Sequence, residues 1–311
     1  MVDVNEVAKN IYMIDNRLFS IPRWGSVYLI NETKKALIET GPTTSVTAVL
    51  DGIRELDIRP EDIAYIVVTH IHLDHAGGAG ALARRMPQAQ VIVHHKGARH
   101  LINPAKLVAS AIEARGSEVM AMHGDVLPIE AHQVQAVNEG DVISLSSQQT
   151  LRFIDAPGHA PHELCIYETR NSGLFTGDAV AVYIAECDIL LPYHPPSQFD
   201  LEACFNTLQR LERFSARKIY YSHFGVSDQV GKHIDRAREK LMVWDDIIKK
   251  ATKEGTFADS RARLINQAYA DVELMKGVVS LAPLYEYLVK IHIPMCADGH
   301  IEYYRKALKL T

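Results

Sequence analysis

Three histidines and an aspartate crowd into six residues at the end of a β-branched run, V-V-T-H-I-H-L-D-H-A-G-G, residues 67–78. In H-x-H-x-D-H, His70 and His72 stand two apart, so on an extended segment they project the same way. Asp74 and His75 follow after the chain has turned and approach from another side. Imidazole nitrogen and carboxylate oxygen are the donors that zinc and iron favour. One metal takes three or four ligands, and this segment offers four in two orientations. Two metals are therefore expected, provided that other segments complete both shells.

Three later segments offer the missing ligands. D-A-P-G-H-A-P-H-E (155–163) carries His159 just after a strand, at a Pro-Gly turn that could present it to a site. L-F-T-G-D-A-V (174–180) sets Asp178 after another strand, beside a glycine, and I-Y-Y-S-H-F-G (219–225) ends a third strand with His223. Each is a His or Asp at the C-terminal end of a β-run, followed by small or turn residues. A lone strand-end histidine is usually structural; four such segments in one chain point to a site.

The set resembles that of the metallo-β-lactamase superfamily, whose H-x-H-x-D-H run and distant His, Asp and His are matched here at every ligand position, over residues 10–225. The resemblance implies an α+β fold, the αββα sandwich of two mixed sheets packed face to face with helices outside and a metal site at one sheet edge. It also implies that His70, His72 and His159 hold one metal, that Asp74, His75 and His223 hold the second, and that Asp178 bridges them. One residue departs from the pattern. The family's usual strand-end Asp is Glu39 here, in L-I-E-T-G (37–41). That residue braces the site without ligating metal, so the change bears on the geometry around the ligands. His162, three residues after His159, is expected in the same supporting shell.

Two divalent ions a few ångströms apart can share a water, supply a hydroxide nucleophile at neutral pH and polarise a carbonyl or phosphoryl oxygen. Asp74 could orient that hydroxide and accept its proton. The reading is a dinuclear metal-dependent hydrolase acting on a small ester, thioester or lactone, with zinc the expected metal and iron or manganese compatible with the same donors. The hydroxyacylglutathione hydrolase branch shares the H-x-H-x-D-H-A-G-G run, but no basic cluster in the final third matches its glutathione site. The alternative is a mononuclear iron oxygenase of sulfur-dioxygenase type, using His70, His159 and Asp178. Substrate contact is expected from Tyr183, Tyr193 and His194 in a Pro- and aromatic-rich loop, 182–200, of a length that commonly serves function. His94, His95, His100, His132, His233, His292 and His300 lack ligand-like surroundings and read as structural or surface residues, while His123 lies in a segment over the first half that could reach the pocket mouth.

The elements that must position these residues fit an ordinary globular chain of 311 residues, 47% hydrophobic and 23% charged, with a formal net charge of −5. That balance argues against a nucleic-acid surface. No apolar run reaches the ~20 residues of a membrane span, the N-terminal M-V-D-V-N-E-V-A-K-N lacks secretory-signal features, and the scattered Cys165, Cys187, Cys204 and Cys296 suggest a reducing compartment. A cytoplasmic protein with a small-molecule substrate is the expectation. Short β-runs open the chain, a helix is predicted from Thr44 to Leu56 with Thr43 or Thr44 as its cap, and I-A-Y-I-V-V-T reads as a strand covered on both faces. From Ser227 onward strand signals fade, and Val230, Ile234, Ala237, Leu241, Trp244 and Ile248 form one apolar helical stripe. The domains are read as 1–226, catalytic, and 227–311, a helical extension. The stripe either docks on the first domain or pairs two copies as a homodimer.

Overall fold

A computed structural model of the chain describes residues 2–309. Two compact units interleave along the sequence. The first takes the chain up to Ala156, then His162–Gly177 and Ala216–Asp228; the second takes Pro157–Pro161, Asp178–Ser215 and the chain from Gln229 on.

The first unit is built on two sheets. One has seven strands in sequence order: β1 (Val4–Ala8), β2 (Ile11–Asp15), β3 (Ser26–Ile30), β4 (Lys35–Ile38), β5 (Ile63–Val67), β6 (Gln90–His94) and β7 (Val134–Val137). Its first four strands pair antiparallel, and β4 to β7 run parallel. The long connections that parallel pairing requires carry α1 (Val46–Glu55), α2 (Leu73–Ala76), α3 (Ala79–Arg85), α4 (His95–Ile102), α5 (Ala105–Arg115) and α6 (Ser117–Ala121). The other sheet contains β8 (Val142–Ser144), β9 (Thr150–Asp155), β10 (Leu164–Glu168) and β11 (Gly173–Phe175). A separate hairpin of the second unit follows, β12 (Val182–Ile184) with β13 (Ile189–Leu191). Then β14 (Lys218–Tyr220) and β15 (Val226–Ser227) complete the second sheet, in the order β15-β14-β11-β10-β9-β8.

Alternation along the strands builds two cores. Ile14, Val27, Leu29, Leu37, Ile66 and Val91 pack with Val49, Ile53 and Leu82 of the helices. Their neighbours Met13, Tyr28, Ile30, Ile38, Val67 and Ile92 pack instead with Phe153, Leu164, Ile166 and Phe175 of the second sheet. β5 lies between the two cores, as its unbroken apolar run requires. Packed sheets with helices outside the first of them are the expected sandwich.

Two local expectations are corrected. The threonines after Pro42 do not cap a helix: Thr43–Ser45 form a 3-10 turn, and α1 starts at Val46. Thr43 Oγ1 reaches the carbonyls of Gly77 and Asp125 at 2.9 and 2.7 Å, and Thr44 Oγ1 donates to Met122 O at 2.9 Å. Residues 182–200 are not one open loop, because the β12–β13 hairpin occupies their first half.

The second unit adds α7 (Leu201–Leu211), α8 (Val230–Lys253), α9 (Ser260–Val272), α10 (Ala282–Tyr287) and α11 (Ile293–Leu308), with a π-helical turn, Leu288–His292, joining the last two. The apolar stripe on α8 is buried from Val230 to Ile248. Trp244 packs on His300 of α11 with ring centroids 5.0 Å apart, and Lys240 pairs with Asp271 of α9 at 2.6 Å. Among the described residues no helix is long and apolar enough to cross a membrane.

Candidate metal centre

The cluster begins where β5 ends. Val68–His72 form an irregular link with a bend at Thr69, His72 is extended at φ −62° and ψ 149°, and Leu73 opens α2. His70 and His72 thus precede α2, and Asp74 and His75 lie within its single turn. All but the half-buried His72 are buried.

Glu39 organises the cluster. It stands one residue beyond β4 at φ +71°, is 1% exposed, and its Oε1 is a common acceptor. Thr69 Oγ1 donates to it, Ser222 Oγ donates at 2.8 Å, and His75 Nδ1 donates at 3.1 Å. A carboxylate only accepts, so two tautomers follow. With its Nδ1 proton on Glu39, His75 keeps an Nε2 lone pair. With the Thr69 hydroxyl proton also on Glu39, the 3.1 Å contact between Thr69 Oγ1 and His70 Nδ1 has the imidazole donating. His70 Nε2 then carries a lone pair and faces His72 Nδ1 at 3.1 Å. One buried carboxylate thus contacts His75 directly and His70 through Thr69.

His223 reaches the cluster from the second sheet. It lies in the turn between β14 and β15, which β3 clamps: Ser26 N donates to Ser222 O at 2.8 Å, and Tyr28 Oη donates to Tyr221 O at 2.6 Å. Burial pushes the Tyr28 phenol well up, so it keeps the proton it donates. Trp24 lies against the His223 ring with centroids 4.4 Å apart. Asp74 Oδ2 is 3.7 Å from His75 Nε2 and 3.8 Å from His223 Nε2. Ligand atoms of Asp74, His75 and His223 fall within 4.8 Å of one another, as do those of Glu39, His70 and His75. A buried carboxylate facing imidazole nitrogens with lone pairs is a donor set suited to a divalent cation. His162 sits beside the cluster, its ring 6.2 Å from that of His70 and 5.7 Å from that of His72.

The other two candidate ligands, His159 and Asp178, belong to the second unit, where His159 Nε2 lies 3.4 Å from Asp178 Oδ2. Gly158 makes the turn that carries His159. Its φ is +146°, and a Cβ there would lie 2.8 Å from the Cys204 backbone, so only glycine fits. Asp200 N donates to Gly158 O at 2.8 Å, and Thr207 Oγ1 donates to Pro157 O at 2.7 Å, pinning the turn to α7. His159 Nδ1 donates to Tyr193 O at 2.6 Å. The side chains expected at the substrate are buried: Tyr183 packs on His233, Tyr193 on His159 and His292, and His194 on Phe199 and His300.

Sequence reasoning passed over Thr69, Ser222, Trp24 and Glu163, whose buried carboxylate lies 3.9 Å from His70 Nδ1. One signal was present: a hydroxyl residue directly precedes a ligand histidine in both T-H-I-H and Y-S-H-F.

A family model described as the metallo-beta-lactamase superfamily matches residues 22–223, which hold every candidate ligand. The chain belongs to the metallo-β-lactamase superfamily. Membership implies divalent-metal binding. The human protein named acyl-coenzyme A thioesterase MBLAC2 is 27% identical over 234 residues, covering 71% of this chain and 80% of that protein. A Caenorhabditis elegans protein named beta-lactamase-like protein 2 homolog is 25% identical over 279 residues, covering 89% of this chain and 80% of its own. The crystal structure of an archaeal superfamily member from Sulfolobus tokodaii superposes with a TM-score of 0.63 at 22% identity, over 75% of this chain and 86% of that one. Fold, donor set and a thioesterase-named relative together support a hydrolase.

Proposed function

We propose that this protein is a dinuclear metal-dependent hydrolase that cleaves acyl thioesters. His70, His72 and His159 would hold one divalent ion, Asp74, His75 and His223 the other, and Asp178 would be shared. The observation that carries the reading is the buried donor set around Glu39, in which the Nδ1 atoms of His75 and His70 lie against Glu39 and Thr69 while their Nε2 atoms face Asp74 and His72, the other candidate ligands. Bound ions of this kind supply a hydroxide at neutral pH and a Lewis acid for the acyl oxygen.

The chain's own residues do the rest. Glu39 holds His75 and, through Thr69, His70 in fixed tautomers, so little reorganisation is needed before reaction. Asp74 accepts a proton from the attacking water and is held beside His75 and His223 to do so. Trp24 packs against the His223 ring and helps fix its orientation. The thioester class rests on the thioesterase-named relative; the acyl group is left to experiment.

The test is a panel of acyl-coenzyme A thioesters, with the released thiol trapped by a chromogenic disulfide. Hydrolysis that a chelator abolishes and zinc or manganese restores is expected. No thiol release, together with oxygen uptake on a persulfide by iron-loaded protein, would overturn the reading.

A further inference from the structure

His292 and His300 carry no sign of chemistry in the sequence, yet both are buried on one face of α11 and of the π-helical turn before it. That face is fitted to a short irregular backbone stretch, residues 192–194. His292 Nε2 donates to Pro192 O at 3.1 Å, and its ring packs on the Tyr193 ring with centroids 4.8 Å apart. One turn later Cys296 Sγ accepts from His194 N and reaches Pro192 O, both at 3.4 Å. Gly299 follows, and a Cβ there would stand 1.9 Å from His194 O. Positions 292, 296 and 299 lie four and three apart, the spacing of one helical face.

The register of this face has a local cause. Pro294 has no N–H to give to the carbonyl of Lys290, and its ring crowds that carbonyl. The helix widens there into the π-helical turn Leu288–His292, an element often found at functional sites.

The middle of the held stretch is the carbonyl that accepts from His159. With the Nδ1 proton on Tyr193 O at 2.6 Å, His159 turns its Nε2 to Asp178 at 3.4 Å. We propose that His292, with Gly299, is a positioning residue: the C-terminal helix fixes residues 192–194, the Tyr193 carbonyl fixes the tautomer and orientation of His159, and the metal that His159 holds depends on the helix. The inference rests on His159 being a metal ligand, as proposed above. It gives the helical stretch a task within the site, carried by main-chain acceptors and a tilted ring contact.

The test compares the full-length wild type with His292→Ala, His292→Gln, Gly299→Ala and, as reference, His159→Ala. Zinc affinity is read by competition with a chromophoric chelator and zinc content by elemental analysis, while circular dichroism and thermal unfolding report the fold. The metal weakened by His159→Ala should also be weakened about 10–100-fold by His292→Ala. His292→Gln, whose Nε2–H can stand where the imidazole Nε2–H stands, should restore most of that loss. Gly299→Ala keeps every hydrogen-bonding side chain but pushes on His194 O, and should weaken the same metal. The other zinc should keep its affinity throughout. Folded His292→Ala and Gly299→Ala proteins that bind both zincs as wild type does would overturn the link alone. A His159→Ala protein with unchanged zinc binding would overturn the ligand assignment, and the link with it.

Discussion

Glu39→Ala is the most informative single change in the first unit. It leaves the Thr69 and Ser222 hydroxyls and the His75 Nδ1–H buried without their common acceptor. Each stranded donor costs about 1–3 kcal/mol, whereas removing a buried carboxylate recovers part of its desolvation cost. Backbone strain drops out of the comparison, because alanine at φ +71° is no easier than glutamate there. Taking the low end for three donors gives a net loss of about 3 kcal/mol for the metal-free protein, or roughly 6–12 °C in Tm for a unit of this size. In the loaded protein, His75 loses the partner that fixes its tautomer, the Thr69 hydroxyl beside His70 loses its acceptor, and metal affinity should fall a further ~10–100-fold. Differential scanning fluorimetry with and without chelator measures the first effect, and chelator competition the second. A Glu39→Ala protein that melts within a degree of wild type and keeps its metal affinity would refute the account of Glu39 as organiser. A large Tm loss with unchanged metal affinity would reduce it to a structural residue.

Two further changes test other parts of the frame. Gly158→Ala places a methyl group 2.8 Å from the Cys204 backbone at φ +146°; strain and overlap should cost about 2–5 kcal/mol, read as a lower urea midpoint. Acid stability should depend on His300, which burial depresses from 6.5 to about 3. The unfolded chain takes up this proton below about pH 6.5 and the folded chain only near 3, so stability falls as pH drops between those values, by about 1.4 kcal/mol per pH unit, and is unaffected above 6.5. His300→Phe should remove one proton's worth of that slope in urea titrations of metal-free protein from pH 6.5 to 4.5; an unchanged slope would show that the group is not held neutral.

The candidate ligands stood out in the sequence because ligation demands particular residue types. H-x-H-x-D-H brings them within one turn, and the strand-end positions of His159, Asp178 and His223 repeat one pattern. Beyond Glu39 and His162, the residues around them did not. Ser222 is 183 residues from Glu39 in the chain and meets it only when the two sheets pack. His292 sits in a helix where nothing marks its neighbours, and its partner is a main-chain carbonyl, which any residue supplies. The two misread elements have similar causes. Thr43 follows a proline as a cap would, but its hydroxyl has tertiary carbonyls in reach. Strands as short as V-Y-I and I-L-L show too little of a period of two to stand out among prolines and tyrosines.

The central claim is that two metals are bound by this donor set, and metal content tests it most directly. Elemental analysis of untagged protein should give two equivalents of divalent metal in wild type and about one in His75→Ala, with hydrolysis lost in parallel. A single equivalent of iron in both proteins would contradict the dinuclear hydrolase and leave the His75 side of the cluster without the role assigned to it.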